Sequence, residues 1–350
     1  MKTTRPHTIL FALLTLALLV IFLLSLSLGS VKIPLEQIVT ILFGGDAEKV
    51  SWATIVLKFR LPKAITAALA GAALAVSGLQ MQTLFRNPLA DPFVLGISSG
   101  ASLGVALVVL LAGVAGGTSL LAGVSLVGDV SLAAASITGS ALVLLLVMAV
   151  ARRVQSTMTL LILGLMFGYA TSALVSVLLY FSIAERIQAY ISWTFGSFGG
   201  VTWSQLQIFG PVTAVALIAA HLLVKPLNAL LLGETYARSM GLNVRLARLG
   251  VIGTSASLAG AVTAFCGPIG FLGVAVPHLC RSLFATSDHR LLLPAVTLLG
   301  AALALGADLL AQLPGSQLTL PLNAVTALLG APVVTWVILR QHNLRESFAG

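Results

Sequence analysis

Long apolar runs alternate along the chain with short gaps that hold nearly all of its charged residues. Most of these runs are about 18 to 25 residues long, which is the length that an α-helix needs to cross a bilayer. The pattern predicts an all-α integral membrane protein of about ten transmembrane helices. No polar linker divides the chain, so we expect one domain that covers residues 1–350.

Two local patterns predict further features of these helices, a break and a close approach between two of them. The segment Cys266–Phe271 contains two glycines and a proline, which predict an interruption of the helix there. A break of this kind at membrane depth is tolerated only inside protein or beside a cavity. Gly96, Gly100 and Gly104 recur at four-residue spacing, so we expect them to let two helices approach closely.

Composition supports a membrane protein and excludes soluble classes. The chain is 58% apolar and only 8% charged, whereas soluble domains carry about 25% charged residues. Its net charge of +9 does not indicate nucleic acid, because the bases lie in the gaps between apolar runs, where lipid headgroups and topology explain them. Cys266 and Cys280 lack metal-ligand spacing and are expected to be buried.

The sequence contains no signature of catalysis or of a resident cofactor. It has no phosphate-binding loop, no zinc-protease motif and no evident cluster of catalytic residues. We therefore expect a transport subunit with no catalytic residue, no bound metal and no covalently bound cofactor. Any use of ATP would belong to a partner chain.

A charged amphipathic stretch, Lys225 to Arg248, lies between two long apolar runs. Its apolar residues have a helical period and are expected to line one side of two short helices, separated by Gly233 and ended by Gly241. Two interpretations remain open from the residues alone. The stretch is either a basic cytoplasmic loop that satisfies the positive-inside rule or a docking surface for a soluble partner. The apolar residues of this pattern are Leu227, Leu230, Leu231, Tyr236 and Met240.

Two further features concern charge. Lys58, Arg60 and Lys63 fall on the outer face of the ten-span topology, against the usual bias, and an acidic partner outside would explain them. Asp308 is the lone acid predicted at membrane depth. It is either part of a functional charge relay or a hydrogen-bonded acid that braces the helix bundle, and its position near Gln312 at a span end favours the structural alternative.

Several blocks resemble, in order, the FecCD-type permease family, the membrane subunits of importers for iron-siderophores, haem and cobalamin. The first block is RLPKAITAALAGAALAVSGLQMQTLFRNPLADPFVLGISSGASLG, from Arg60 to Gly104. It is followed by WTFGSFGGVTW, LNALLLGETYARSMGL, GPIGFLGVAVPHLCR, DHRLLLPAVTLLGAALALGADLLA and TALLGAPVVTWVILR. The matches extend over nearly the whole chain.

The resemblance implies a type II ABC importer permease with ten helices per subunit in the bacterial inner membrane, both termini being cytoplasmic. It implies a second permease subunit, expected to be identical, two ATP-binding subunits on the cytoplasmic face and a periplasmic or lipid-anchored substrate-binding protein. Membrane lipid surrounds the assembly, and no nucleic acid is involved. The substrate expected from the family is a ferric siderophore, with haem or cobalamin as alternatives.

The resemblance also assigns roles to individual residues. Arg60 and Lys63 correspond to an outer basic pair that docks the binding protein, and Ser156 and Thr157 to a cytoplasmic gate. ATPase coupling, within a loop at about 225–242, is assigned to Leu227, Asn228, Leu231, Gly233, Glu234, Ala237, Arg238 and Gly241. Two departures from the family stand out: Gln312 where a third outer base is expected, and Asn323 where glycine is usual.

Three other classes of membrane protein are alternatives to the importer. An ion-coupled secondary transporter would suit the broken helix and a weak inverted repeat between Leu69–Gly78 and Leu258–Gly267. It would need a relay of intramembrane charges, for which only Asp308 is available. A membrane enzyme would need clustered polar residues at membrane depth, and a channel would need a ring of charge or a filter-like loop; neither is evident.

Overall fold

A computed structural model describes residues 4–111, 128–154, 157–313 and 319–346. Within these ranges the chain is helical and contains no strand, so the predicted all-α class is confirmed. The first half comprises α1 (Thr4–Ser27), α2 (Leu35–Leu42), α3 (Val50–Thr54), a π-helix (Ile55–Arg60), α4 (Leu61–Phe85), a 3-10 turn (Pro92–Leu95), α5 (Ile97–Leu111), α6 (Gly128–Arg153) and α7 (Thr157–Tyr180). The second half comprises α8 (Ala184–Thr194), α9 (Trp203–Leu222), α10 (Val224–Leu231), α11 (Glu234–Ser239), α12 (Val244–Cys266), α13 (Leu272–Phe284), α14 (His289–Ala311) and α15 (Leu322–Glu346).

Within the described ranges, ten apolar helical segments account for the predicted membrane spans. By length and composition, seven are long enough to cross a membrane, and α5, α13 and α15 contribute three shorter apolar helices. The second span differs from expectation, because one 36-residue helix runs without interruption over Val50–Phe85. Its π-helix ends at Arg60 and Pro62 follows, so the hydrogen-bond pattern changes where a proline supplies no N–H donor.

The core of the bundle forms around α4, which packs against α12, α13 and α14. Nearly every residue of α4 after Lys63 is buried or partly buried. Glycine makes this packing possible, because a Cβ added at Gly78 would lie only 1.9 Å from the carbonyl oxygen of Gly273 in α13. A Cβ at Gly71 would likewise lie 2.1 Å from the carbonyl oxygen of Gly300 in α14. Backbone-to-backbone contact therefore sets the spacing of the central helices.

The glycines predicted to pack closely do so between α5 and α6. A Cβ at Gly100 would lie 2.6 Å from the carbonyl oxygen of Gly139, and one at Gly104 would lie 2.2 Å from that of Ala135. Gly96 instead ends the 3-10 turn at a φ of +76°, a conformation that favours glycine. The prediction of close packing is confirmed for Gly100 and Gly104.

The predicted break at Cys266–Phe271 separates α12 from α13. Its backbone polar groups find partners inside the protein, as a break at membrane depth requires. The N–H of Gly270 donates to Oδ1 of Asn323 at 3.1 Å, and the N–H of Ser197 donates to the carbonyl oxygen of Cys266 at 2.8 Å. Asn323, which had no interpretation in the sequence, therefore supplies a side-chain acceptor for the break.

Both cysteines are buried and unbonded, as expected. Cys266 ends α12 and Cys280 lies within α13, with 3% and 0% of their surfaces exposed. Among the described residues no group of three or more His, Cys, Asp or Glu side chains could hold a metal ion.

Candidate functional site

The coupling segment, residues 225–242, folds into two short helices joined at Gly233. This glycine has a φ of +101°, and Gly241 beyond α11 has a φ of +83°. Both values lie in the region that glycine adopts more readily than other residues, so the sequence correctly indicated where the helices separate and end.

The apolar residues of this segment do not share one face, contrary to expectation. Leu227 and Leu230 of α10 are buried, whereas Tyr236 and Met240 are 52% and 62% exposed. The bend at Gly233 reorients the chain between α10 and α11, so the helical period of the first helix does not continue into the second. A period read across the bend therefore assigns the wrong side to Tyr236 and Met240.

The segment accordingly has a supporting side and an exposed side. Leu227, Gly233 and Ala237 are buried, and Asn228, Leu231 and Glu234 are partly buried. Of the eight residues predicted to couple to an ATPase, only Arg238 and Gly241 are exposed. We use the name docking face for the exposed side chains Leu232, Thr235, Tyr236, Arg238 and Met240.

An ion pair fixes α11 to the helix that follows it. Nη2 of Arg248 in α12 lies 2.6 Å from Oε1 of Glu234, and its Nη1 donates to the carbonyl oxygen of Val154 at 2.9 Å. Arg248 is only 5% exposed, and a buried guanidinium is stable only with such partners. The single acid of the coupling segment therefore serves an internal contact that also reaches the end of α6.

Asn228 connects α10 to two spans. Its Nδ2 donates to Oδ1 of Asp288 at 2.6 Å, while its Oδ1 accepts from the backbone N–H of His289 at 2.9 Å and lies 2.8 Å from Nδ1 of the same residue. On the other side of the imidazole, Nε2 of His289 lies 2.8 Å from Oγ1 of Thr83 in α4. A continuous polar path thus joins the coupling segment, the start of α14 and the end of α4.

Asp288 caps the N-terminus of α14, its carboxylate accepting from the N–H of Arg290 at 2.9 Å. Partial burial alone would raise the pKa of Asp288. The hydrogen bonds from Arg290 and Asn228, together with the positive charge of Arg290, outweigh this effect and hold the pKa of Asp288 below its usual value. The cap therefore carries a negative charge at neutral pH.

Sequence reasoning missed His289 and Thr83. They lie 61 and 145 residues from Asn228 along the chain, and neither belongs to a recognisable motif. The available signal was the pair Asp288-His289 at the start of an apolar run, a position where polar side chains can reach the end of a neighbouring helix. Their pairing with Asn228 became visible only in three dimensions.

The two bases predicted to dock a binding protein are both engaged within the chain. Nη1 of Arg60 donates to the carbonyl oxygens of Leu26 at 2.7 Å and Ser27 at 2.9 Å, and its Nη2 donates to that of Val31. These bonds satisfy carbonyl groups at and beyond the end of α1. Lys63 pairs with Asp308, its Nζ lying 3.0 Å from Oδ1.

The surroundings of Asp308 are those expected of an acid that braces the bundle. Gln312 donates to the second carboxylate oxygen at 2.6 Å, and Asp308 itself is 6% exposed. The glutamine that stands where an outer base was expected is therefore a partner of Asp308. Lys58, five residues before Lys63, is exposed.

The predicted cytoplasmic gate falls at the edge of the described structure. Ser156 lies outside the described residues. Thr157 begins α7, but its side chain is not among those described. The assignment of both residues to a gate stays a prediction.

Comparison with known proteins places this geometry among membrane transporters. The model of the FecCD transport family matches residues 17–340. A vitamin B12 import system permease protein, BtuC, of Klebsiella pneumoniae subsp. pneumoniae is 40% identical over 94% of this chain and 93% of its own length. The protein of the same name from Escherichia coli O6:H1 is 38% identical over 81% of this chain and 83% of its own length.

A solved structure shares the fold. It is described as an inward-facing conformation of a metal-chelate type ABC transporter, and it matches with a TM-score of 0.81. Sequence identity is 30%, and the match covers 95% of this chain and 99% of the other.

Proposed function

Since the chain belongs to the FecCD transport family and is the permease of an ABC importer, we propose that its substrate is a corrinoid of the vitamin B12 class. The observation that carries this proposal is the 40% identity, over 94% of the chain, to a vitamin B12 import permease. The ferric siderophore expected from the sequence becomes the second candidate. The likeness to a metal-chelate type transporter keeps it in consideration.

The two kinds of relative favour a corrinoid when they are taken together. A corrinoid holds cobalt in a macrocycle and is itself a metal chelate, so both the vitamin B12 permeases and the metal-chelate transporter agree with it. A ferric siderophore agrees with the second relative only.

The energy for transport comes, in this proposal, from two separate ATPase subunits that bind the docking face. Exposed apolar side chains beside Arg238, whose contact with Glu234 is long at 3.8 Å, are the composition of a protein-binding patch. The buried side of the coupling segment then transmits movement into the membrane through Asn228, His289 and Thr83. A second permease copy and an external binding protein complete the assembly, and both termini lie in the cytoplasm.

The charges on the outer side suggest how the binding protein meets the permease. Arg60 and Lys63 are engaged within the chain, and their part in docking would require an acidic partner to compete for hydrogen bonds that already exist. Lys58 is exposed and stands on the same helix. We assign the first electrostatic contact to Lys58 and a positioning role to Arg60 and Lys63.

Two measurements test the proposed function. The first is the absorption spectrum of the ligand that the associated binding protein retains on purification, because corrinoids, haem and ferric siderophores have distinct bands. The second is uptake of cyanocobalamin and of ferric siderophores into vesicles that contain the permease with its ATPase. We expect vanadate-sensitive uptake of cyanocobalamin. Uptake of a ferric siderophore alone would select the second candidate, and uptake driven by an ion gradient without any ATPase would overturn the importer.

A further inference from the structure

A cavity of about 230 Å³ opens beside the bend of the coupling segment. Its walls come from the end of α4, the turn that follows it, the end of α10 and the second half of α13. Arg86, His278 and Arg281 line it together with Gln82 and Leu231. We call it the basic cavity.

Among the residues that the structure describes, no acid lines the basic cavity. Arg86 is exposed and, within the described part of the chain, takes part in no salt bridge or hydrogen bond through its side chain. Arg281 is partly buried and donates from Nη1 to Oε1 of Gln82 at 2.6 Å. Nε2 of His278 donates a hydrogen bond to the carbonyl oxygen of Pro88 at 2.8 Å. In the described structure the guanidinium of Arg281 therefore meets a neutral acceptor, and that of Arg86 meets no hydrogen-bond acceptor.

The two guanidinium groups are stable in the cavity while water reaches them, but their free energy rises once water is excluded. A guanidinium removed from water without an anion loses solvation that a neutral amide replaces only in part. A carboxylate would supply both the missing charge and paired acceptors, because its two oxygens match the fork of an arginine. A protein that covers this site is therefore expected to bring an acid with it.

The position of the cavity indicates which protein would cover it. Nη1 of Arg86 lies 3.5 Å from the point that a Cβ on Gly233 would occupy, so Arg86 reaches the bend between α10 and α11. Leu231, the last residue of α10, forms part of the wall. A partner seated on the docking face, which begins at Leu232, is thus adjacent to the cavity.

We propose that the basic cavity receives a carboxylate side chain of the ATPase subunit, held by Arg86 and Arg281. This inference rests on the proposed function, because it takes an ATPase as the partner of the docking face. It adds a second, electrostatic contact, whose charged residues lie at the end of α4 and in α13, outside the coupling segment. Movement of the ATPase would then act directly on α4 and α13 as well as on α10.

The test is the affinity between the ATPase subunit that copurifies with the wild-type chain and variants of the permease in lipid nanodiscs. We expect R86E to weaken binding by at least about tenfold, because loss of a desolvated charge pair has an effect of this size. We expect R86K to keep most of the affinity. R152E is the matched control, because Arg152 is an exposed base at the end of α6 that does not line the cavity. Equal affinities for wild type, R86E and R152E would overturn the proposal.

Two further measurements make the result specific. Reversing surface acids of the ATPase to arginine, one at a time, should identify one variant that restores binding to R86E; if none does so, the carboxylate assignment is wrong. R281Q, which keeps a hydrogen bond to Gln82 within reach, should weaken binding without lowering the melting temperature. A melting temperature of R86E equal to that of wild type shows that the affinity change is local.

The remaining outcomes separate this inference from its premise. Nanodiscs of phosphatidylglycerol and of phosphatidylcholine are compared for both proteins. If R86E changes lipid preference but leaves the affinity for the ATPase intact, the cavity binds a lipid phosphate and the proposal fails. If the wild-type chain binds no ATPase at all, the proposed function itself is wrong.

Discussion

Lys63 and Asp308 join α4 to α14 through an ion pair, with Nζ of the lysine 3.0 Å from Oδ1 of the aspartate. Their side chains are 22% and 8% exposed. Gln312 completes the group by donating to the other carboxylate oxygen at 2.6 Å. The pair explains why an acid is retained within an apolar helix, and it ties α4 to α14 at the opposite end from His289.

Removing one partner of this pair should destabilise the permease more than removing both. K63M leaves Asp308 as a buried, uncompensated acid, and loss of one partner of a buried pair costs about 3–5 kcal/mol. We expect K63M to lower the melting temperature in nanodiscs and the double variant K63M/D308L to recover much of the loss. K58M is the matched control, since Lys58 is exposed. A double variant no more stable than K63M would contradict the assignment.

Asp308 should be dispensable as an ionisable group for ATP-driven uptake. D308N keeps the hydrogen bond from Gln312 within reach and removes only the charge, so we expect lowered stability with uptake retained in proportion to folded protein. Uptake is measured in vesicles and normalised to the assembled complex. Loss of uptake with assembly intact would assign Asp308 a direct part in transport.

The path from Asn228 through His289 to Thr83 should influence coupling more than binding. N228A removes the acceptor of two hydrogen bonds from His289, so movement of α10 would reach α4 less effectively. We expect N228A and H289A to lower the number of substrate molecules imported per ATP hydrolysed, several-fold, with the affinity for the ATPase within about twofold of wild type. The double variant should be no worse than the stronger single variant, because both break one path. Additive effects would show that the two residues act separately.

Gly78 should tolerate no side chain. Its added Cβ would lie 1.9 Å from the carbonyl oxygen of Gly273, and only a shift of α4 against α13 could relieve this clash. Overpacking in a tight core costs about 1–3 kcal/mol or more, so G78A should lower the melting temperature by several degrees. G253A is the control, because nothing lies within 4 Å of its Cβ position in α12. Equal melting temperatures for the two variants would argue against direct backbone contact.

Charge reversal on the docking face should weaken binding of the ATPase. The side chain of Arg238 is 60% exposed, and its contact with Glu234, at 3.8 Å, is long. We expect R238Q to reduce copurification of the ATPase moderately and R238E to reduce it strongly, together with stimulated ATP hydrolysis. R152E serves again as the control on an exposed base. Normal copurification of the ATPase and normal ATP hydrolysis with R238E would show that Arg238 does not contribute to binding the ATPase.

The charge of Asp288 should stabilise the start of α14 in a pH-dependent way. Its pKa is lower in the folded protein than in the unfolded chain, so its stabilising contribution is present above the unfolded value, about 3.9, and is lost as the pH falls through the folded value. D288N retains the cap and removes the charge. The melting temperature of wild type should exceed that of D288N at pH 7, and the difference should shrink below about pH 4. A difference in melting temperature that does not change with pH would indicate that the charge of Asp288 makes no contribution to stability.

Features that depend on neighbouring residues were predicted from the sequence. The apolar runs indicated ten spans, and two glycines and a proline indicated the break at Cys266–Phe271. Gly233 and Gly241 indicated where the helices of the coupling segment separate and end. Each of these follows from local chemistry, since the transfer of apolar side chains into lipid and the permitted backbone angles are set within a few residues.

Pairings between distant residues were decided only by the tertiary structure. Asn323 meets Gly270 across 53 residues and Lys63 meets Asp308 across 245, so neither contact leaves a periodic trace in the sequence. The orientation of Tyr236 and Met240 also depends on how the bend at Gly233 seats α11 against α12. Hydropathy determined which segments enter the membrane. Close packing of their backbones, and the need to satisfy each buried polar group, determined which side chains meet.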